Sequence, residues 1–310
     1  MIREKRTRSG PMLEVDFFPV FDNGNKMPTR APKTKPSTEA QIRYNQLMAE
    51  KKLIRLINAN FDTTDYFMHP TYDTAYAPQD EAVARRDIVN YLRRVKTKRA
   101  SLLKSLQSDM LEARNDLERS PKSKFLLSVI DKLKKSIDKL KRPFKYAYRI
   151  EKQVYKSGPY AGCCNWHFHL FLTGGLDSKT LEEMWPKGMR TNCCRYQPDK
   201  FGPEAAGKYM CKDPNGVKRF SYSRNLVKPV LVIKDGKVSK NAVSKMAAQR
   251  VDDKAYWENR YKGYTFVRCY NRYNEYNGHW YVSVIMYKNG DAPPKWEAPD
   301  WITEDYQCTA

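Results

Sequence analysis

Apolar positions recur with two different periods along this chain, and the switches between them outline its elements. From Ser37 onward, "STEAQIRYNQLMAEKKLIRLINANF" spaces its apolar residues as a helix does, with Ser37 as the cap. "DYFMHPTYD" reads as a short strand with a polar end. "PQDEAVARRDIVNYLRRVKTKR" predicts an amphipathic helix, with Pro78 near its start, acids in the first turn and arginines at the end. "SLLKSLQSDMLEARNDLER" and "FLLSVIDKLKKSIDKLK", separated by "SPKSK", predict a helical hairpin. In its second arm Leu126, Ile130, Leu133, Ile137 and Leu140 follow coiled-coil-like steps. "FKYAYRIEKQV" and "CNWHFHLFLT" then predict two strands, with Gly158-Pro159 as the turn between them. Short helices follow over "DSKTLEEMW" and "PEAAGKYMCK", where Pro203 suits a first turn. Near the end, Asn277-Gly278 between "RYNEY" and "HWYVSVIMYK" predicts a hairpin. Residues 1 to about 38 read as irregular.

The charge changes this picture. The 310 residues carry 57 Lys and Arg against 35 Asp and Glu, a formal net charge of +22. Such a surplus costs self-repulsion and points to a polyanionic partner, with a solubility device as the plainer reading. The 21 tyrosines favour nucleic acid, because aromatic rings offer stacking platforms for unpaired bases. The seven cysteines are odd in number, and "MIREKRTRSG" lacks the apolar core of a secretory signal. Free thiols in a reducing cytoplasm are the expectation. No apolar run reaches membrane-spanning length, so no membrane partner is expected. The pairs Cys163-Cys164 and Cys193-Cys194 fit a zinc site poorly, since adjacent side chains on a strand point apart.

Two of the four histidines stand one residue apart in "NWHFHLFLTGG". Alternate residues of a strand share a face, so His167 and His169 project together, opposite Trp166, Phe168, Leu170 and Leu172. If the two strands pair about Pro159, residues whose numbers sum to 318 become neighbours. Ile150 then meets Phe168 on the core side, and Glu151 meets His167 on the outer side. One hairpin thereby gathers two imidazoles and a carboxylate, a donor set suited to Mn²⁺, or to Mg²⁺ with waters retained. Two half-exposed sheet histidines are the plainer reading, and the carboxylate at the same spot favours the metal. Such a metal could polarise a phosphoryl oxygen.

A nucleophile for that chemistry is offered by "GKYMCK". Tyr209 and Lys212 stand about one helical turn apart, and a nearby ammonium favours a phenolate. Equally, Tyr209 is one tyrosine among 21 and Lys212 one basic residue among 57.

Taken in order, "YFMHPTYD" with "RRDIVNYLRRV", then "WHFHLFL", then "AAGKYMCKD" with "SYSRNL", resemble the motifs of the HUH endonucleases. The resemblance is in particular to the single-tyrosine rolling-circle replication initiators of plasmids and small single-stranded DNA phages, over roughly residues 38 to 230. The resemblance implies an α+β fold with a central antiparallel sheet flanked by helices, of ferredoxin or RNA-recognition-like topology. It implies His167 and His169 as metal ligands and Tyr209 as nucleophile, with Lys212 assisting. Glu151 is added as third ligand from the register. Arg93, Arg94 and Arg224 fall in the helix after the first motif and in "SYSRNL", and are candidate DNA contacts. His69-Pro70 departs from the threonine-rich apolar strand usual at the first motif, and about 98–142 reads as a helical insertion. The expected organisation is a basic N-terminal segment with a helix over 1–60, an endonuclease domain over 61–230, and a C-terminal extension with a hairpin over 231–310.

The implied activity is initiation of rolling-circle replication in the cytoplasm of a bacterial host. Tyr209 would attack single-stranded or hairpin origin DNA, leaving a 5′-phosphotyrosine and a free 3′-OH for a host polymerase. No Walker A pattern is present, so unwinding would fall to a host helicase. The rival readings are a single-tyrosine transposase of the same superfamily and a noncatalytic nucleic-acid-binding protein.

Overall fold

A computed structural model of the chain describes residues 1–21, 38–154, 162, 164–188, 191–198, 202–211 and 219–290. The fold is α+β, with two five-stranded antiparallel sheets and seven α-helices among the described residues. The chain divides into two compact units.

The first unit joins residues 1–60, 198–209 and 227 onward. Its strands β1 (Ile2–Ser9), β2 (Met12–Pro19), β8 (Val230–Asp235), β9 (Tyr264–Asn274) and β10 (His279–Lys288) lie in the order β8-β1-β2-β10-β9. Helix α1 (Glu39–Asn60) belongs to it, with α6 (Lys240–Gln249) and α7 (Lys254–Arg260). Val15, Phe17, Val282, Val284 and Met286 from the sheet pack with Val243, Met246 and Trp257 from α6 and α7. The hairpin at Asn277-Gly278 is present, with Gly278 at φ +63°.

The expectation that residues 1 to about 38 are irregular is corrected over residues 2–19 by β1 and β2, while residues 22–37, with the expected cap Ser37, lie outside the described residues. They hide in the sequence because "IREKRTRS" is dominated by charge. Glu4 is nevertheless buried, accepting a hydrogen bond from the Tyr261 hydroxyl at 3.0 Å. Gly10 makes the turn at φ +57°, and a Cβ there would stand 2.2 Å from the Asn58 carbonyl oxygen. β2 pairs with β10, so the two ends of the chain share one sheet.

The second unit comprises residues 61–197 and 210–226. Its strands are β3 (Tyr66–His69), β4 (Tyr146–Val154), β5 (Cys164–Leu172), β6 (Asn192–Arg195) and β7 (Ser221–Tyr222), in the order β6-β3-β5-β4-β7. Helix α2 (Glu81–Arg119) buries Ile88, Tyr91, Leu92 and Val95 against Met68, Ile150, Phe168 and Leu170. Asp80 caps it by accepting from the Val83 amide at 2.8 Å. Helix α3 (Lys124–Lys141) packs back along α2, and α4 (Ser178–Glu183) adds Leu181 to the core. The turn falls at Ser120–Ser123 as expected. The first arm of the expected hairpin is, however, the unbroken continuation of α2, because nothing between Arg99 and Ser101 interrupts helical geometry. Arg99 is buried and donates to the carbonyls of Leu140 at 3.3 Å and Arg142 at 3.0 Å, and also to Gly174. It thus ties α2 to the end of α3 and to the segment after β5.

Cys164, Cys193, Cys194, Cys211 and Cys269 are free thiols. Cys193 is buried in the core while Cys194 is exposed, as neighbours on one strand must be. No helix among the described residues is long and apolar enough to cross a membrane.

Candidate metal centre

β4 and β5 pair with Ile150 opposite Phe168 and Glu151 opposite His167, the register expected from the turn. Alternation then sorts the side chains. Trp166, Phe168, Leu170 and Leu172 enter the core beneath α2. His167, His169 and Phe171 take the other face, with Arg149 and Glu151 beside them on β4.

That second face is not the outer surface the sequence suggested. His169 is 1% exposed, His167 9% and Arg149 3%. Aromatic residues from outside the hairpin help to cover this face. Phe67 stacks on Phe171 at 4.4 Å, and Phe61 and Tyr196 pack against Phe171 at 5.6 and 5.2 Å.

Glu151 reaches between the two imidazoles. Its Oε2 lies 2.9 Å from His169 Nε2 and 3.5 Å from His167 Nε2. One donor atom from each of the three residues lies within 4.8 Å of the other two. Arg149 Nη2 stands 3.9 Å from Glu151 Oε1. Burial opposes a charged Glu151, but hydrogen bonds with His167 and His169 and the nearby Arg149 outweigh it and hold the carboxyl well below its usual range. Burial pushes His169 down to about 4, against the pull of Glu151. A carboxylate facing a neutral imidazole is the protonation state that metal ligands require. His167 turns Nε2 toward Glu151, and its Nδ1 is buried with no hydrogen-bond partner among the described residues. Two imidazole nitrogens and one carboxylate fit a divalent cation, which would act there as a Lewis acid.

A third imidazole, missed in the sequence, borders this group. β3 pairs with β5 on the side away from β4, with Met68 opposite Leu170. The same register puts His69 opposite His169, and the bridge between Thr71 and His167 continues it. The rings of His69 and His169 are 5.0 Å apart, as are those of His167 and His169. Burial, then His169 and His167, push His69 down to about 3. Arg149 was also missed, although the 318 rule already paired it with His169. His69 could not be found that way, because nothing local gives the β3–β5 register.

Arg93 and Arg94 are exposed on α2, the layer behind the opposite face of the sheet from the histidines. Arg94 donates to the Met184 carbonyl at 3.1 Å. Arg224 is exposed just after β7. Tyr209 is 42% exposed on α5 (Glu204–Cys211), in the stretch assigned to the first unit. Lys212 lies outside the described residues. Comparison with protein families, with curated proteins and with solved structures gives no match.

Proposed function

We propose that the chain is a metal-dependent DNA nicking and joining enzyme of the HUH type that initiates rolling-circle replication. The observation that carries this reading is the convergence of Glu151, His167 and His169 in one buried cluster. The order of the sequence motifs and the net charge of +22 support it from outside the site.

Glu151, His167 and His169 would hold Mg²⁺ or Mn²⁺, which supplies polarisation of a phosphoryl oxygen. Tyr209 is the nucleophile in this reading. Its phenolic oxygen loses its proton and bonds to phosphorus, the bond from phosphorus to the 3′ oxygen breaks, and that oxygen takes up a proton. The products are a 5′-phosphotyrosine and a free 3′-OH. Attack by a 3′-OH reverses the step, so rejoining conserves the phosphodiester bond without ATP. Single-stranded or hairpin origin DNA is the substrate, and a host polymerase and helicase are the partners.

The test is nicking of a single-stranded origin oligonucleotide by His167→Ala and His169→Ala. Both variants are expected to lose cleavage while keeping most DNA affinity, because affinity comes from charge spread over many residues. Normal cleavage by either variant overturns the reading.

A further inference from the structure

We propose that one face of the first unit's sheet is a stacking platform for single-stranded DNA, built from Phe18, Tyr270 and Tyr281 with the cations Lys5 and Arg272. The surface belongs wholly to the first unit. Only the choice of DNA over RNA rests on the function proposed above.

The two faces of this sheet are used differently. Alternation sends Phe17, Val282, Val284 and Met286 to one face, where α6 and α7 bury them. Their neighbours Phe18, Tyr281 and Ser283 therefore take the other face. On β9, Tyr270 lies opposite Ser283 and Arg272 opposite Tyr281. On β1, Lys5 lies opposite Asp16 and Arg3 opposite Phe18, and Asp16 in turn faces Ser283. These pairs form two rows across the sheet. Helix α1 covers this face at its Met12 end. There Asn58 donates to Met12 Sδ and accepts from the Tyr287 hydroxyl, both at 3.3 Å, and Arg55 pairs with Glu14. Toward the other end Tyr270 is 50% exposed, Arg272 is exposed, and Lys5, Phe18 and Tyr281 are half-buried.

The acids of this stretch are engaged with the protein. Asp16 accepts from the Ser283 hydroxyl at 2.7 Å, and Asp235 is paired with Arg3 at 2.7 Å. Lys5 and Arg272 form no ion pair among the described residues, so their charge is available to phosphate. The rings are held in place. The Arg268 guanidinium stands 4.8 Å from the centre of the Tyr270 ring, and Asn277 donates to the Tyr281 hydroxyl at 2.9 Å.

Rings and cations on one face match an unpaired strand on both counts, because every base has a π-face and every phosphate a negative charge. Neighbouring strands stand about 4.8 Å apart, so rings on adjacent strands can take successive bases. A duplex keeps its base faces stacked inside and could use only the cations. A single half-exposed ring needs no explanation. Three on one face beside unpaired cations, in a chain of net charge +22, mark a binding surface.

The experiment follows labelled oligothymidylate binding to the full chain by fluorescence anisotropy, with a chelator present throughout so that the metal centre plays no part. The double variant Tyr270→Ala, Tyr281→Ala is expected to bind at least about fivefold more weakly, while Tyr270→Phe, Tyr281→Phe keeps its affinity. A base-free oligomer of the same sugar–phosphate backbone is expected to bind wild type and the double Ala variant equally, since charge alone holds it. Iodouracil placed in the oligothymidylate is expected to crosslink to peptides holding Tyr270 or Tyr281. Unchanged oligothymidylate affinity in the double Ala variant, or an equal loss for the base-free oligomer, overturns the platform. Wild-type crosslinks confined to other peptides overturn it too, and that readout needs no variant to fold. Tighter binding of oligouridylate than of oligothymidylate overturns the choice of DNA. No cleavage is read, so failure of the platform leaves the metal reaction standing, and failure of nicking leaves the platform standing.

Discussion

Glu151 and His167 face each other directly across β4 and β5, and the Glu151 carboxylate lies 2.9 Å from His169 and 3.5 Å from His167. One carboxylate thus serves two imidazoles on the neighbouring strand. Removing it should weaken metal binding without dismantling the sheet, because β4 keeps its core residues Tyr148 and Ile150. Glu151→Ala is expected to raise the Mn²⁺ dissociation constant at least about tenfold, with cleavage partly restored at high Mn²⁺. Calorimetric titration checks this, and unchanged binding would remove Glu151 from the site.

Acid should destabilise the metal-free protein through this cluster. His69 and His169 are held at about 3 and 4 in the folded chain, below the 6.5 of a free imidazole. Between those values the unfolded state binds more protons, so stability falls as pH drops below about 6.5. Each group contributes up to about 1.4 kcal/mol per pH unit across that window. Glu151, also depressed, adds to the loss once pH falls below the usual carboxylate range. Thermal unfolding between pH 7 and 5 should show a falling midpoint, with a shallower fall in a His69→Gln, His169→Gln double variant. Equal slopes in the two proteins would contradict the buried, neutral imidazoles.

Arg99 offers a stability test remote from the histidine face. It is 4% exposed and its guanidinium serves carbonyls at the end of α3 and after β5. Arg99→Met keeps the apolar stem but strands those acceptors. A loss of about 3 kcal/mol in denaturant unfolding is expected. A change below about 0.5 kcal/mol, the size usual for surface substitutions, would show that water satisfies them instead.

The sequence was informative where structure is local and silent where it is not. The β4–β5 register followed from a single turn, so Glu151 could be matched to His167 by counting. His69 borders this cluster, but its register with β5 is set across about 100 residues and leaves no local trace. The same holds for β2 and β10, which pair from opposite ends of the chain. Burial of the histidine face was also hidden, because Phe61, Phe67 and Tyr196 come from outside the hairpin. Helices were easier to read, since their periods and caps are written within one segment, as Asp80 and Ser123 illustrate. Tyr209 is legible only as part of a motif, and its exposure fits a nucleophile without singling it out.

The central claim is that Tyr209 attacks DNA in a metal-dependent reaction. Its most direct test incubates wild type and Tyr209→Phe with Mn²⁺ and a 5′-extended single-stranded origin oligonucleotide, followed by a denaturing gel. Tyr209→Phe removes one oxygen and leaves the ring. The account predicts a covalent protein–DNA adduct with wild type, lost on chelation, mapped by mass spectrometry to the peptide containing Tyr209, and absent from Tyr209→Phe. An undiminished adduct in Tyr209→Phe would contradict the assignment, and cleavage by that variant without any adduct would contradict the tyrosine mechanism itself.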